Sequence, residues 1–154
     1  MTEKLKEIVN KLINTNKTIS TMESCTGGEL ASLITNVTDS SKILKFSAVT
    51  YSNEFKIKMG VNRKTIEKYT VYSKEVAREM SKAITKFTNS YYGVGITGEI
   101  TIKPDHKSYV YYAIYDSVND KFWDGILEIH EDNKKENKFL VTDKIIEDLF
   151  QILN

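Results

Sequence analysis

The chain has 154 residues, of which 40% are apolar and 28% charged, a composition typical of a globular protein with one core. Lys and Arg number 22 and Asp and Glu 21, so the formal net charge of +1 argues against a protein that binds nucleic acid by neutralising phosphates. One cysteine and two histidines provide neither a disulfide framework nor a usual structural zinc site, and we expect no metal and no cofactor.

The sequence also lacks the patterns of a membrane or exported protein. No apolar run approaches the roughly 18 residues that cross a bilayer. The first segment, MTEKLKEIVNKLI, interrupts its apolar residues with charges and has no small-residue cleavage site. We therefore expect a soluble, cytoplasmic protein with one domain over residues 1–154 and no membrane partner.

The first half of the chain alternates between helix and strand patterns. Apolar residues at helical spacing predict a helix over residues 3–14, and TISTME predicts a buried strand that runs into a glycine turn and a helix over about 28–35. A second strand is expected over residues 46–51. Two short helical turns follow, over residues 53–59 and 63–69.

The second half begins with Ser73, which suits the cap of the helix SKEVAREMSKAITKF. The residues expected on its buried face are Val76, Met80, Ala83, Ile84 and Phe87. Three strands follow, YYGVGIT, SYVYYAIYDS and KFWDGILEIH, the last two joined as a hairpin, and an amphipathic helix closes the chain over residues 134–153. This order predicts a three-layer α/β sandwich, a mixed sheet flanked by helices with a C-terminal β-hairpin and helix.

Ser24 lies on the predicted turn from strand to helix. A hydroxyl on such a turn is exposed at the edge of the sheet, and free N–H groups at the start of a helix can stabilise an oxyanion or hold a phosphate. The alternative is structural: Ser24 or Thr26 caps the helix, and Gly27 and Gly28 supply only the turn. Spacing alone does not decide between them.

Four segments in order carry a family resemblance. The segment ESCTGGELASLITNV, from Glu23 to Val37, resembles the opening motif of the CinA C-terminal domain family, the nicotinamide-nucleotide amidohydrolases. DSS at residues 39–41, VTYSNEFKIKMGV at 49–61 and VYSKEVAREM at 71–80 resemble later motifs of that family. The resemblance covers about residues 20–98. It implies metal-independent hydrolysis of the carboxamide of nicotinamide mononucleotide, a small-molecule nucleotide, to nicotinate mononucleotide and ammonia.

The resemblance also implies site residues. Ser24 would be the nucleophile, Lys56 the general base, and Tyr51 a hydroxyl that orients or relays the proton. The implied substrate-binding residues are Thr26, Gly27, Gly28, Ser41, Asn53, Thr97 and Gly98. Each also has an ordinary structural explanation, since most lysines are solvated and serines and threonines are common at turns and strand ends. The resemblance and the aromatic density of SYVYYAIYDS further predict a homodimer.

Two segments depart from the family pattern. After Gly98 the family's glycine-rich loop is replaced by the shorter GEITIKPDHKSYVYY, which keeps only Lys103 and Pro104. Nearer the carboxyl end, EDNKKEN has Asn133 where the family has the arginine of Gly-Asp-Arg; Lys134 or Lys135 could supply the charge but not the bidentate geometry. Both departures lie on the substrate side of the site, so the resemblance indicates the type of reaction and leaves the exact amide open. A catalytically idle domain, kept as a nucleotide-binding or assembly module, is the alternative.

Overall fold

A five-stranded mixed sheet, with the strand order β2-β1-β3-β4-β5, forms the centre of the computed structural model, which describes residues 1–154. The strands are β1 (Ile19–Glu23), β2 (Leu44–Val49), β3 (Tyr92–Gly98), β4 (Tyr109–Asp116) and β5 (Lys121–Glu128). β1 pairs in parallel with both β2 and β3, whereas β4 runs antiparallel to β3 and β5 antiparallel to β4. The predicted C-terminal hairpin is thus confirmed.

Six helices cover the two faces of the sheet. They are α1 (Thr2–Asn14), α2 (Glu29–Thr35), α3 (Asn53–Lys58), α4 (Arg63–Tyr69), α5 (Lys74–Thr88) and α6 (Lys134–Leu153). Apolar residues of α1, α2 and α6 form one core with the sheet, and those of α4 and α5 form a smaller core on its other face. The single-domain α/β sandwich of three layers is confirmed. None of these helices has the length and apolar character needed to cross a bilayer.

Two glycines let α5 approach the middle of the sheet closely. A Cβ atom at Gly93 would lie 2.2 Å from the carbonyl oxygen of Ser81, and one at Gly95 would lie 2.2 Å from that of Ala77. Any side chain on these β3 positions would collide with the backbone of the helix. The helix backbone therefore packs directly on β3.

The topology creates one natural binding edge. The chain passes from β1 to β2 on one side and returns to β3 on the other, so the strand order reverses beside β1. Glu23, the last residue of β1, pairs with Val49 of β2 and Ile96 of β3, which places the carboxyl ends of three parallel strands together. Ligands of open α/β sheets bind in the crevice at such a point.

Two details of the predicted elements are wrong. β2 covers residues 44–49 rather than 46–51, so Thr50 and Tyr51 lie beyond the strand, at the binding edge. Phe87 was expected in the core but is 64% exposed. It packs instead on Phe46 of the edge strand β2, with ring centroids 5.3 Å apart. The helical spacing of Phe87 is regular, yet the end of α5 lies outside the core.

Candidate active site

Ser24 is the first residue after β1, and its backbone is fixed by the neighbouring strand. Its N–H donates to the carbonyl of Ile96 on β3 over 3.0 Å, and its own carbonyl accepts from the N–H of Gly27 over 3.0 Å. Gly27 and Gly28 have φ angles of 62° and 95°, in the left-handed region that favours glycine. The two glycines therefore close a tight turn that leads directly into α2.

Lys56 lies on α3 and its side chain reaches the turn from outside the sheet. Its Nζ donates to Ser24 Oγ over 3.0 Å and to the carbonyl of Thr50 over 2.7 Å. The helix begins at a regular cap, in which Ser52 Oγ accepts from the N–H of Phe55. Lys56 is only 2% exposed. Ser24 and Lys56, predicted as nucleophile and base, are thus brought into direct contact.

The surroundings of Lys56 favour its neutral form. Burial of the amine lowers its pKa, and the two groups that accept its hydrogen bonds are both uncharged. A neutral amine can accept the proton of the Ser24 hydroxyl, which an ammonium cannot. The contact therefore has the electrostatics of a general base beside a nucleophile.

Glu23, immediately before Ser24, has a structural role that sequence reasoning did not assign. Its carboxylate is fully buried and accepts from Thr26 Oγ1 over 2.6 Å, from the N–H of Leu30 over 3.1 Å and from the N–H of Ala31 over 2.9 Å. It caps the first turn of α2 from the end of β1. In the sequence, this role is indicated by the position of Glu23 as the one charged residue of β1, at the end of the strand.

The Glu23 contacts leave a defined set of N–H groups free near Ser24. Those of Leu30 and Ala31 donate to Glu23, that of Glu29 donates to the carbonyl of Thr26, and that of Gly27 donates to the carbonyl of Ser24. The N–H groups of the turn that donate no hydrogen bond within the chain belong to Cys25, Thr26 and Gly28. Free N–H groups beside a nucleophile are the donors that stabilise an oxyanion in acyl transfer.

A cavity of about 600 Å³ opens over this pair. Of the predicted site residues, Ser24, Lys56, Tyr51, Asn53, Thr97 and Gly98 line it. Tyr51 is 69% exposed and makes no hydrogen bond to Ser24 or Lys56. Thr97 is buried and donates its hydroxyl proton to the carbonyl of Val71 over 2.7 Å. Tyr51 therefore lies at the rim and Thr97 in the wall.

The predicted residues of the glycine turn, Thr26, Gly27 and Gly28, do not line the cavity. The hydroxyl of Thr26 donates to Glu23 instead of facing a substrate. Gly27 and Gly28 shape the turn through their backbone angles. Any contribution of these three residues to a ligand must come from their backbone rather than from side chains.

Ser41 is a correction. It was expected in the same pocket, but it is exposed and lies in a 3₁₀ turn, Ser40–Lys42, just before β2 begins. Because β2 is parallel to β1, its first residue, Leu44, pairs with Ile19 at the far end of β1. Within the chain, Ser41 therefore lies at the amino-terminal ends of β1 and β2, whereas Ser24 lies at their carboxyl ends.

Sequence reasoning missed a wall of the cavity formed by the loop between α4 and α5. It contributes Thr70, Val71 and Tyr72. Thr70 has φ 61° and ψ 173°, a conformation that is rare for a β-branched residue and is seen most often where function fixes the backbone. Nothing in the local sequence indicates this backbone conformation.

A second wall, built from the two segments that depart from the family pattern, carries the charges of the cavity. It is formed by the loop after Gly98 and the start of α6, with Glu99, Ile100, Thr101, Lys103 and Lys134 facing the space. Glu99 Oε2 contacts His106 Nε2 at 2.8 Å, and Lys103 Nζ lies 3.9 Å from Glu99 Oε1. Of the two lysines that could replace the family's arginine, Lys134 lines the cavity and Lys135 does not. No group of His, Cys, Asp and Glu is arranged to hold a metal ion.

Cys25 lies next to the nucleophile and lines the same cavity, but it is almost fully buried. It is 6% exposed and packs in the main core, and burial raises the pKa of its thiol to about 12. The thiolate is therefore scarce at neutral pH. This favours Ser24 over Cys25 as the attacking group.

The fold and the site together define an α/β protein with a serine–lysine pair at the carboxyl edge of its parallel strands. The chain belongs to the CinA C-terminal domain family, whose model matches residues 1–106. It is 47% identical over 96 residues to a competence-damage inducible protein of Clostridium perfringens and 44% identical over 98 residues to one of Thermoanaerobacter pseudethanolicus. These matches cover 61% and 62% of this chain but only 23% and 24% of those proteins, so the chain spans under a quarter of their length.

Solved structures share the whole fold at low sequence identity. A competence or damage-inducible protein of Enterobacter asburiae superposes with a TM-score of 0.91 at 20% identity, over 99% of this chain and 98% of that one. The protein CihA of Agrobacterium tumefaciens gives a TM-score of 0.85 at 23% identity, over 98% of this chain and 96% of its own. The segment after residue 106, which the family model does not match, therefore keeps the architecture of these structures.

Proposed function

We propose that the chain hydrolyses the carboxamide of nicotinamide mononucleotide to nicotinate mononucleotide and ammonia, with Ser24 as nucleophile and Lys56 as general base. One observation carries this proposal: the buried Lys56 amine, held by uncharged acceptors, lies 3.0 Å from Ser24 Oγ at a cavity. Membership of the CinA C-terminal domain family is consistent with amidohydrolase chemistry.

The first half of the reaction forms an acyl-enzyme. Ser24 Oγ attacks the carboxamide carbon while its proton passes to the neutral Lys56 amine. The carbonyl oxygen becomes an oxyanion, for which the free N–H groups of Cys25, Thr26 and Gly28 are the nearest unused donors of the turn. When the carbon–nitrogen bond breaks, Lys56 returns the proton to the leaving nitrogen, which departs as ammonia.

The second half of the reaction releases the acid. Water attacks the ester carbon of the acyl-enzyme, and Lys56 accepts the proton that water loses. Collapse of the second tetrahedral intermediate breaks the bond to Ser24 Oγ, which regains its proton from Lys56. The product acid gives its remaining proton to solvent or to the released ammonia and leaves as a carboxylate, and the enzyme returns to its starting protonation state.

The charged wall is suited to the phosphate of the substrate. Lys134 forms no salt bridge within the chain, and Lys103 lies at the long distance of 3.9 Å from Glu99. Two ammonium groups that line the same cavity attract a phosphate monoester, although without the bidentate geometry of arginine. In this proposal the pyridine carboxamide lies at Ser24 and the phosphate lies toward Lys103 and Lys134.

Tyr51 and Asn53 border the entrance near Ser24, and their proposed roles follow from position. Tyr51 is exposed at the rim, where its ring can cover an aromatic amide and its hydroxyl can reach a proton-transfer path once a substrate fills the space. Asn53, exposed on the first turn of α3, offers an amide for hydrogen bonding.

The decisive experiment measures ammonia and nicotinate mononucleotide from purified protein with nicotinamide mononucleotide. Turnover that disappears in Ser24→Ala and persists in a chelator supports the proposal. Turnover that is lost in the chelator and restored by added zinc contradicts the metal-free mechanism. Binding of the nucleotide without any turnover by the parent protein would favour the idle nucleotide-binding module instead.

A further inference from the structure

Asn137, on α6, is a buried polar side chain with no part in the proton transfers above. It is 1% exposed, and its amide makes three hydrogen bonds. Nδ2 donates to the carbonyl of Ile100 over 3.0 Å and to the carbonyl of Glu131 over 2.7 Å, while Oδ1 accepts from the N–H of Glu131 over 3.3 Å. All three partners are backbone groups of other segments.

These bonds join the two segments that carry the cations of the cavity. Ile100 lies in the loop between β3 and β4, three residues before Lys103. Glu131 lies in the turn before α6, three residues before Lys134. Asn137 therefore ties the Lys103 loop to the Lys134 turn through one side chain.

Other contacts also hold the Lys103 loop, since Ile100 packs in the main core and the N–H of Glu99 donates to the carbonyl of Tyr109 over 2.9 Å. The buried Ser108 donates to the carbonyl of Thr101 over 2.7 Å, and its own carbonyl accepts from the N–H of Ile129. The ion pair between His106 and Glu99 is exposed and screened by solvent. Asn137 is the residue whose bonds reach both cation-bearing segments.

We propose that Asn137 is a positioning residue that fixes the distance of Lys103 and Lys134 from Ser24, and so sets the length of the anionic amide that the cavity accepts. An asparagine suits this role because it can donate to two carbonyls and accept from one N–H without placing a charge in the core. The proposal rests on the proposed function and assigns the residue that determines its specificity for a phosphorylated substrate.

The effect is expected on substrate binding rather than on chemistry. Removing the amide breaks the link between the Lys103 loop and the Lys134 turn but leaves Ser24, Lys56 and Thr50 in place, since none of these three hydrogen-bonds to Asn137. For Asn137→Ala we expect KM for nicotinamide mononucleotide to rise about tenfold, with kcat changed by less than about threefold. The apparent pKa of the pH–rate profile should stay unchanged, and nicotinamide riboside, which lacks the phosphate, should show no comparable rise in KM.

Thr142→Ala provides a matched control on the same helix. Thr142 is fully buried and bonds only to the carbonyls of Lys138 and Phe139 within α6. Its loss should lower thermal stability without changing KM. If Asn137→Ala behaves in the same way, with lower stability and unchanged KM, Asn137 is only structural and the proposal is overturned.

A double variant tests whether Asn137 acts through the lysines. In a Lys134→Ala background, Asn137→Ala should raise KM by clearly less than it does in the parent, because the shared contact is already gone. Effects that multiply in full would overturn the proposal. Ser108→Ala, which loosens the same loop at Thr101, gives a second route if Asn137→Ala does not fold, and it too should raise KM selectively for the phosphorylated amide.

A binding measurement separates this inference from the proposed function. Nicotinamide mononucleotide is titrated calorimetrically into Ser24→Ala and into Ser24→Ala with Asn137→Ala, so that no turnover is needed. About tenfold weaker binding in the second variant supports the positioning role even when the parent releases no ammonia, an outcome that would reject only the hydrolase. Equal binding in the two variants overturns the inference while leaving the hydrolase open to its own assay.

Discussion

Thr50 connects the base to the nucleophile through the backbone. Its carbonyl accepts from Lys56 Nζ over 2.7 Å, and its N–H donates to the carbonyl of Glu23, the neighbour of Ser24, over 2.8 Å. Lys56 Nζ then spans 3.0 Å to Ser24 Oγ. The distance between base and nucleophile is therefore set by where the chain leaves β2 beside β1, not by the two side chains alone.

The first prediction is that Lys56 and Ser24 act as one unit. Lys56→Ala should lower kcat by about 10² to 10⁴, the range for loss of a general base, in protein whose circular dichroism spectrum is unchanged. Adding Ser24→Ala should cause little further loss. Lys58→Ala, an exposed lysine on the same helix, is the control. Near-parent turnover in Lys56→Ala would remove the serine–lysine assignment.

The second prediction concerns pH. Because burial lowers the pKa of Lys56 below its ordinary value of 10.5, activity should rise with pH through a midpoint below 10.5 as the amine loses its proton. Cys25 cannot produce that limb, since the pKa of its thiol is raised to about 12. The pH dependence of kcat/KM in the parent and in Cys25→Ser tests this. A midpoint at or above 10.5, or the absence of a rising limb at any pH, would contradict it.

The same lowered pKa has a consequence for stability. Between the folded pKa of Lys56 and its ordinary value of 10.5, the unfolded chain binds more protons at this residue than the folded one. The loss of the Lys56 proton therefore makes the free energy of unfolding rise with pH across that window. Below the folded pKa of Lys56, this stabilising contribution is absent. Lys56→Met should remove this contribution in denaturant titrations at several pH values.

The third prediction is that Cys25→Ser keeps most of the turnover. The thiol is buried and largely protonated, so it acts as a small apolar group beside the nucleophile. Iodoacetamide should also label the folded protein slowly at neutral pH. A loss of kcat/KM above about a hundredfold in folded protein would make Cys25 the better candidate nucleophile.

The fourth prediction addresses the packing of α5 on β3. Gly95→Ala places a Cβ 2.2 Å from the carbonyl of Ala77 and 2.6 Å from the N–H nitrogen of Ser81, so the helix backbone must move. We expect a loss of about 1–3 kcal/mol in the free energy of unfolding, measured by denaturant titration. Asn10→Ala, on the exposed face of α1, should change it by less than about 0.5 kcal/mol. Parent-like stability of Gly95→Ala would contradict the close packing.

The fifth prediction is a homodimer. The aromatic strand that suggested it is partly core, since Tyr112 and Tyr115 are buried. The exposed apolar side chains instead include Phe46 and Val49 on the edge strand β2 and Phe55 on α3, at 41%, 52% and 52% exposure. Light scattering at micromolar concentration should give twice the mass of the chain, and Phe46→Lys should lower it. A monomeric parent would contradict the prediction.

The order and type of the elements were accessible from sequence because their signals are local. The predicted bounds 63–69 and 134–153 coincide with α4 and α6, and Ser73 caps α5 by accepting from the N–H of Val76. Periodicity and capping involve residues within a few positions of one another. Strand pairing joins distant segments, so the edge position of β2, which explains Phe87, could not be obtained in this way.

The candidate site was predictable only where a motif carried it. Ser24 and Lys56 lie in segments that resemble the family's motifs, and the structure brings them into contact. Ser41 carries the same kind of resemblance, yet the parallel pairing of β2 places it at the other edge of the sheet. Lys134 and Asn137 belong to a segment without a preserved motif. Their proposed roles follow from the position of the start of α6, where Lys134 lines the cavity and Asn137 bonds to the carbonyl of Ile100.

The buried carboxylate of Glu23 affects the orientation of a ligand in the cavity. Glycine turns at the start of a helix commonly receive phosphate on their N–H groups, but here the N–H groups of Leu30 and Ala31 already bind an internal anion. A phosphate brought to Leu30 and Ala31 would find these two donors occupied and a negative charge nearby, whereas the N–H groups of Cys25, Thr26 and Gly28 stay free. The buried charge of Glu23 therefore disfavours an anion at the start of α2, in keeping with the proposed orientation, in which the neutral carboxamide lies at Ser24 and the phosphate lies away from it.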